Sequence, residues 1–306
     1  MNMREWALIT FTIMAQMSVG SFLVLGIVHN YAIKKAGMKE ADRLSDRALF
    51  AIGFVLLLGL AASLFHLGVP WKAYRAVTNL STSWLSREIF CGVLFAGFGA
   101  IFAFMQWRKI GSFGLRNIFA WIAVLIGLAL LYSMSNVYLL ATEPSWNSLA
   151  TPISFFTTSF LLGSLAIGVA FVANYSYIQR NQNVELDIQR ELLRDSLRWI
   201  AIASLILLGV EFVVLPIYLA SLAAGPVAAI QSVKLIVGPY AWVLVLRLVL
   251  EFVGAGIFAL FLYKNALSAG REKVLGNLVY GAFALVLVAE VLGRFLFYAA
   301  RVRIGI

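Results

Sequence analysis

Charge is scarce in this sequence. Only 12% of its 306 residues are Asp, Glu, Lys or Arg, while 62% are hydrophobic and the mean hydropathy is +0.92. A soluble globular chain carries about 25% charged and about 45–50% apolar residues, so this composition excludes one and leaves a polytopic membrane protein. Cysteine occurs once, as Cys91 inside an apolar run. A single thiol forms no intrachain disulfide, and it cannot ligate an iron–sulfur cluster, which takes about four. Histidine occurs twice, as His29 and His66. A b-type haem takes a pair of axial histidines, and these two fall at opposite membrane faces, so neither a haem nor another metal centre is expected in the chain. Proline occurs six times. Pro70, Pro144, Pro152, Pro226 and Pro239 lie in connections; Pro216 lies within an apolar run, where it predicts a kink or an early helix end near Leu215. The net charge of +10 would point to nucleic acid in a soluble chain. Here the cations sit in connections and read as an orientation signal, with no nucleic-acid partner.

What the sequence has in abundance is apolar runs of spanning length, about 20 residues each. Eight are legible: Trp6–His29, Ala48–Phe65, Ile89–Trp107, Asn117–Leu140, Ile153–Tyr177, Trp199–Ala220, Tyr240–Tyr263 and Val274–Ala300. The first is too long for a cleavable signal and reads as a retained helix. Trp6, Trp107, Trp199 and Trp242 fall at span ends, where an amphipathic indole meets the headgroups. Connections after the first, third, fifth and seventh spans hold 15 Lys and Arg; the other face holds 7. The basic face is therefore expected in the cytoplasm and both termini outside. The fold class is an all-α integral membrane protein of eight transmembrane helices, a single polytopic domain over residues 1–306. The basic-face stretch Ile178–Arg198 has the composition of a short amphipathic helix. On the other face Ala141–Pro152 and Ser221–Pro239 read as turn-rich loops, suited to a lid or a docking surface.

One connection stands apart. His66–Glu88 (HLGVPWKAYRAVTNLSTSWLSRE) joins the second and third spans and gathers His66, Lys72, Tyr74, Arg75, Arg87 and Glu88 with two tryptophans. A lipid-soluble substrate that exchanges protons needs apolar walls, a titratable group and water, and this segment offers all three. Imidazole titrates near neutral pH; a histidine at a helix end is also commonly just a polar residue meeting water. Glu88 reads either as a first-turn carboxylate favoured by the helix dipole, with Ser86 as cap, or as a proton acceptor paired with His66. Ionisable residues inside spans need a partner or a purpose. Glu290 and Arg294, and Arg247 and Glu251, lie four apart on one helix face, as ion pairs that join helices or as parts of a quinone or proton site. Glu211 has no such partner in its own span, so it reads as an interhelical hydrogen bond or a proton relay. On these residues alone two functions compete. One is a redox anchor that oxidises a lipid quinol for an attached subunit. The other is a proton-coupled transporter, or a subunit of an ion-translocating complex, using Glu211, Glu251 and Glu290.

Several motifs run together along the chain: His66-Leu67-Gly68 with Pro70, Lys72 and Ala73; Leu85-Ser86 and Glu88-Ile89; Val137-Tyr138, Pro144 and Trp146; Thr151-Pro152 with Phe155-Phe156; and Glu290, Gly293-Arg294 and Phe297-Tyr298. In these the chain resembles the membrane-anchor subunits of the dimethyl sulfoxide reductase family and, more distantly, the polysulfide-reductase anchor superfamily. The resemblance implies an anchor in the bacterial or archaeal cytoplasmic membrane that oxidises menaquinol without haem or metal of its own. It further implies partnership with an iron–sulfur subunit and, through it, a molybdopterin catalytic subunit. The family's quinol-site histidine falls on His66 and its nearby carboxylate on Glu88, with Lys72, Tyr74 and Arg75 between them in the same segment.

Overall fold

The computed structural model describes residues 3–64, 78–181 and 186–305. Eight helices are long and apolar enough to cross a membrane: α1 (Met3–Ala36), α2 (Met38–Leu64), α3 (Trp84–Arg108), α4 (Phe113–Asn136), α5 (Ala150–Asn181), α6 (Asp187–Ala223), α8 (Ala241–Ala266) and α9 (Glu272–Ala299). A shorter apolar helix, α7 (Val227–Val237), lies between α6 and α8. No strand occurs among the described residues.

The expected spans are all present, but the helices run past them at the basic end. Residues 34–47 form no loop: α1 and α2 continue toward each other and meet at Gly37, whose φ of +83° suits glycine. Nor do the described residues of 178–198 form a separate amphipathic helix; they are largely the ends of α5 and α6. Ion pairs hold these projections together. Lys35 of α1 contacts Glu191 and Asp195 of α6, Arg190 lies 3.1 Å from Glu272 of α9, and Lys109 reaches both Asp42 and Asp46 of α2 at 2.8 Å. At the opposite end the stretch Ser221–Pro239 is not a loop but carries α7. The early end expected at Leu215 does not occur either, since α6 runs through Pro216 to Ala223. A helix stopping there would leave its last four carbonyls unpaired in the apolar layer, whereas proline removes a single hydrogen bond.

Small residues set the packing. α1 and α5 are the central helices: 67% and 72% of their most apolar windows are buried, against 22–44% for the other spans. They touch backbone to backbone, and a Cβ placed on Gly163 would lie 2.3 Å from the carbonyl carbon of Gly20. Ser159 Oγ donates to Gln16 O at 2.6 Å across the same contact. Such close approach gives membrane helices the contact that water exclusion supplies elsewhere. α2, α3 and α4 gather beside α1, and α6, α8 and α9 beside α5. Phe54, Leu57, Val93, Leu125 and Ile206 point outward toward lipid.

Candidate functional site

The ionisable residues of the last three spans converge in one cluster. Arg247 of α8 is its centre, with Nη2 3.0 Å from Glu211 Oε2 on α6 and 3.0 Å from Glu251 Oε1 one turn along its own helix. Its guanidinium lies over Gly293 of α9, where an added Cβ would sit 2.7 Å from Nε. Just beyond Glu251, residues Phe252–Phe258 form a π-helical turn, a feature frequent at functional sites. Glu290 accepts a hydrogen bond from Thr158 Oγ1 of α5 at 2.8 Å. Arg294 donates to Gln16 Oε1 of α1 at 3.0 Å and lies 3.9 Å over the ring of Phe155. Three carboxyls thus face two guanidiniums. Glu211 Oε1, Glu251 Oε2, Glu290 Oε1 and Arg294 Nε are buried without a protein hydrogen bond. Glu211, Arg247, Glu290 and Arg294, with Thr158 and Tyr218, line a cavity of about 90 Å³, room for several waters.

Toward the end of the bundle that carries both termini, Arg294 leads into an aromatic cluster. The hydroxyls of Tyr138, just past α4, and Tyr298 of α9 are hydrogen-bonded. Tyr138 packs edge-on against Trp146 and Phe297, each at 5.2 Å. Trp146 stacks on Phe297 at 5.3 Å and donates Nε1 to its carbonyl at 2.7 Å. Thr151 Oγ1 donates to Trp146 O, and Tyr218 of α6 to Ser145 O, both at 2.7 Å. The connection from α4 to α5 is therefore fastened to α9 and α6 rather than left free. Glu88 of α3 completes this end. It is only 6% exposed.

This end of the bundle is assembled from separate stretches of the sequence, and the comparisons with known proteins span nearly the whole chain. Residues 1–300 match the family described as DMSO reductase anchor subunit (DmsC). The chain belongs to that family. It is 30% identical over 98% of its length to a chain of the anaerobic dimethyl sulfoxide reductase of Haemophilus influenzae, covering 96% of that protein. To the anaerobic dimethyl sulfoxide reductase chain of Escherichia coli it is 28% identical with the same coverage. A stretch of 70 residues, 23% of the chain, is 37% identical to a sulfite dehydrogenase subunit of Allochromatium vinosum, where it covers 22%.

In this DMSO reductase anchor subunit His66, Lys72, Tyr74 and Arg75 lie outside the described residues. Glu88 is described, and its setting differs from the one expected. Ser83, not Ser86, caps α3, accepting from Ser86 N at 3.3 Å, so Glu88 sits one turn inside the helix rather than in its first turn. Arg87 folds back to donate to Leu80 O and Ser81 O. The pair Arg247–Glu251 forms, and Glu211 finds its partner on another helix in the same arginine. The pair expected within α9 does not form. Thr158 takes Glu290 while Gln16 and the Phe155 face take Arg294, so no hydrogen bond or ion pair joins the two. Sequence reasoning also missed Gln16, Thr158 and the Tyr138–Tyr298 pair. A lone glutamine amid the apolar residues of α1 was the available signal for the first. Among the described residues no three His, Cys, Asp or Glu side chains form a metal-ligand set.

Proposed function

We propose that this anchor subunit binds menaquinol at the terminus-bearing end of the bundle, oxidises it, and passes the electrons to an iron–sulfur subunit that feeds a molybdopterin catalytic subunit. The observation that carries this reading is Glu88, a buried carboxyl on α3 at the same end of the bundle as the Tyr138–Tyr298 pair, where the His66 segment connects α2 to α3. Family membership supports it, as does the name of the relatives, which are chains of an anaerobic dimethyl sulfoxide reductase. In the proposed sequence His66 hydrogen-bonds the quinol head group and accepts a proton, and Glu88 takes the proton onward. Lys72 and Arg75 add positive potential that favours its release, and Tyr74 adds an aromatic wall. Oxidation of a quinol releases two electrons and two protons in all, so a proton acceptor must lie within hydrogen-bond reach.

By the distribution of Lys and Arg, this end faces outward from a bacterial or archaeal cytoplasmic membrane, with the whole chain acting as one membrane domain. Quinol protons released here stay outside, and electrons handed to a partner on the same face carry no net charge across the bilayer. The test is His66→Ala and Glu88→Gln in the assembled complex. Both variants should assemble and reduce the acceptor with a soluble artificial donor. His66→Ala should abolish quinol-dependent turnover, and Glu88→Gln should lower it by about a hundredfold, the low end of general acid–base contributions. Normal quinol oxidation together with normal binding of a quinol-site inhibitor in His66→Ala would overturn the assignment.

A further inference from the structure

The opposite, basic end of the bundle holds a second built pocket. It lies between α1, α2, α3 and α4, has a volume of about 50 Å³, and is lined by apolar side chains including Phe22, Phe102 and Val124. Its polar lining includes Arg116, only 7% exposed. Among the described residues the Nε and Nη1 of Arg116 have no hydrogen-bond partner, and Nη2 reaches only the sulfur of Met38 at 3.9 Å. The carboxylates nearby are already taken. Asp46, which lines the same pocket, accepts from Gln106 and Lys109 at 2.8 Å each; Asp42 accepts from Gln106 at 2.7 Å and from Lys109 at 2.8 Å. His29 is engaged by Ser45. Arg116 also stands in the first turn of α4, the positive end of the helix dipole, where a cation is disfavoured unless an anion joins it. A buried guanidinium with free donors in a fork fits the oxygens of a phosphate.

The mouth of the pocket decides which phosphate. Its rim includes Ile27 and Trp121, 57% and 48% exposed on membrane-spanning helices, so the opening faces acyl chains. We propose that this pocket binds the phosphodiester of an anionic phospholipid, with Arg116 gripping the head group and the apolar walls holding the start of a chain. It is separate from the proposed quinol site at the other end of the bundle.

The experiment measures heat unfolding of the purified complex in neutral detergent during titration with phosphatidylglycerol, phosphatidylcholine or inorganic phosphate. A ligand that binds only the folded protein raises the midpoint. Phosphatidylglycerol should raise it; the other two should not. Arg116→Gln should weaken the phosphatidylglycerol effect roughly tenfold in concentration, the loss of a charge-assisted hydrogen bond, and Arg116→Lys should restore part of it. Equal shifts from phosphatidylcholine, whose phosphodiester is balanced by its own choline, would mean that the anionic head group is not selected, and an equal shift from inorganic phosphate would mean a soluble anion site. Either result, or an unchanged titration in Arg116→Gln, overturns the proposal. The lipid comparison uses the unaltered protein, so a variant that fails to fold does not remove the test.

Discussion

Arg247 shows how a charge is kept inside this bundle. Its guanidinium meets Glu211 from α6 and Glu251 from α8, each at 3.0 Å, and it can lie flat there only because residue 293 has no side chain. Gly293 is thus a slot for a neighbour's cation, which gives physical content to the Gly293-Arg294 motif. In Gly293→Ala the new Cβ must displace Arg247 from at least one carboxylate. The expected loss is on the order of 1.5–3 kcal/mol, the range for hydrogen bonds to charged groups, seen as a lower unfolding midpoint in detergent. Gly97→Ala is the matched control, because a Cβ there meets nothing within 4 Å, and alanine is the better helix former. Equal midpoints in the two variants would show that Arg247 is free to move, so that the cluster does not hold α8 to α9. The cluster was partly legible in the sequence, since glutamates and arginines stand out in apolar runs. Their partners were not: four-residue spacing proposes Glu290 with Arg294, yet Thr158 and Gln16 come from helices more than a hundred residues away in the chain and take them instead.

At the scale of helices, the seam between α1 and α5 joins the first four spans to the last four. Here the obstacle to an added methyl is backbone: a Cβ on Gly163 would meet Gly20 C at 2.3 Å and Ser21 N at 2.4 Å. A side chain such as Arg247 can swing aside, but a helix backbone moves only as a whole. Gly163→Ala should therefore destabilise the protein more than Gly293→Ala and lower the amount that inserts and assembles, as read by folded yield and unfolding midpoint. The reverse order would mean that α1 and α5 slide apart easily and are not the seam. The existence and order of the spans could be read directly, because a run of about 20 apolar residues has few other uses. Their true lengths could not. The residues of α2 before Ala48 are charged and look like a loop, yet they are helical, and Asp42 and Asp46 among them pair with Lys109 just past α3, a partner that only the fold brings near. α7 was hidden for a related reason: an apolar helix of 11 residues is too short to span.

For the whole molecule, the two ends of the bundle are built for different work. The basic end is laced with ion pairs between helices. The terminus-bearing end instead has a connection clamped by aromatic rings: Trp146 is buried and hydrogen-bonded to α9, and Ile304 N donates to Thr142 O at 2.9 Å. Among the side chains this end exposes are large apolar ones, with Leu149 80% and Val227 74% exposed. Apolar side chains presented at a membrane end, on a connection held rigid from below, are suited to meeting another protein. Under the proposed function the partner must also come here, because a chain expected from its single cysteine and two histidines to hold no redox metal has to bring quinol close to the partner's nearest cluster. Cysteines placed at Leu149 and Val227, in a Cys91→Ser background that removes the single native thiol, should crosslink to the iron–sulfur subunit in the assembled complex. They should also react with a membrane-impermeant thiol reagent from the outer side when the anchor is expressed alone. Cysteines at Lys39 and Arg180, both exposed at the basic end, should do neither. Partner crosslinks confined to Lys39 and Arg180 would place the iron–sulfur subunit on the basic face; quinol oxidation at the Glu88 end would then require electrons to cross the full thickness of the bundle, and the proposed site would fall.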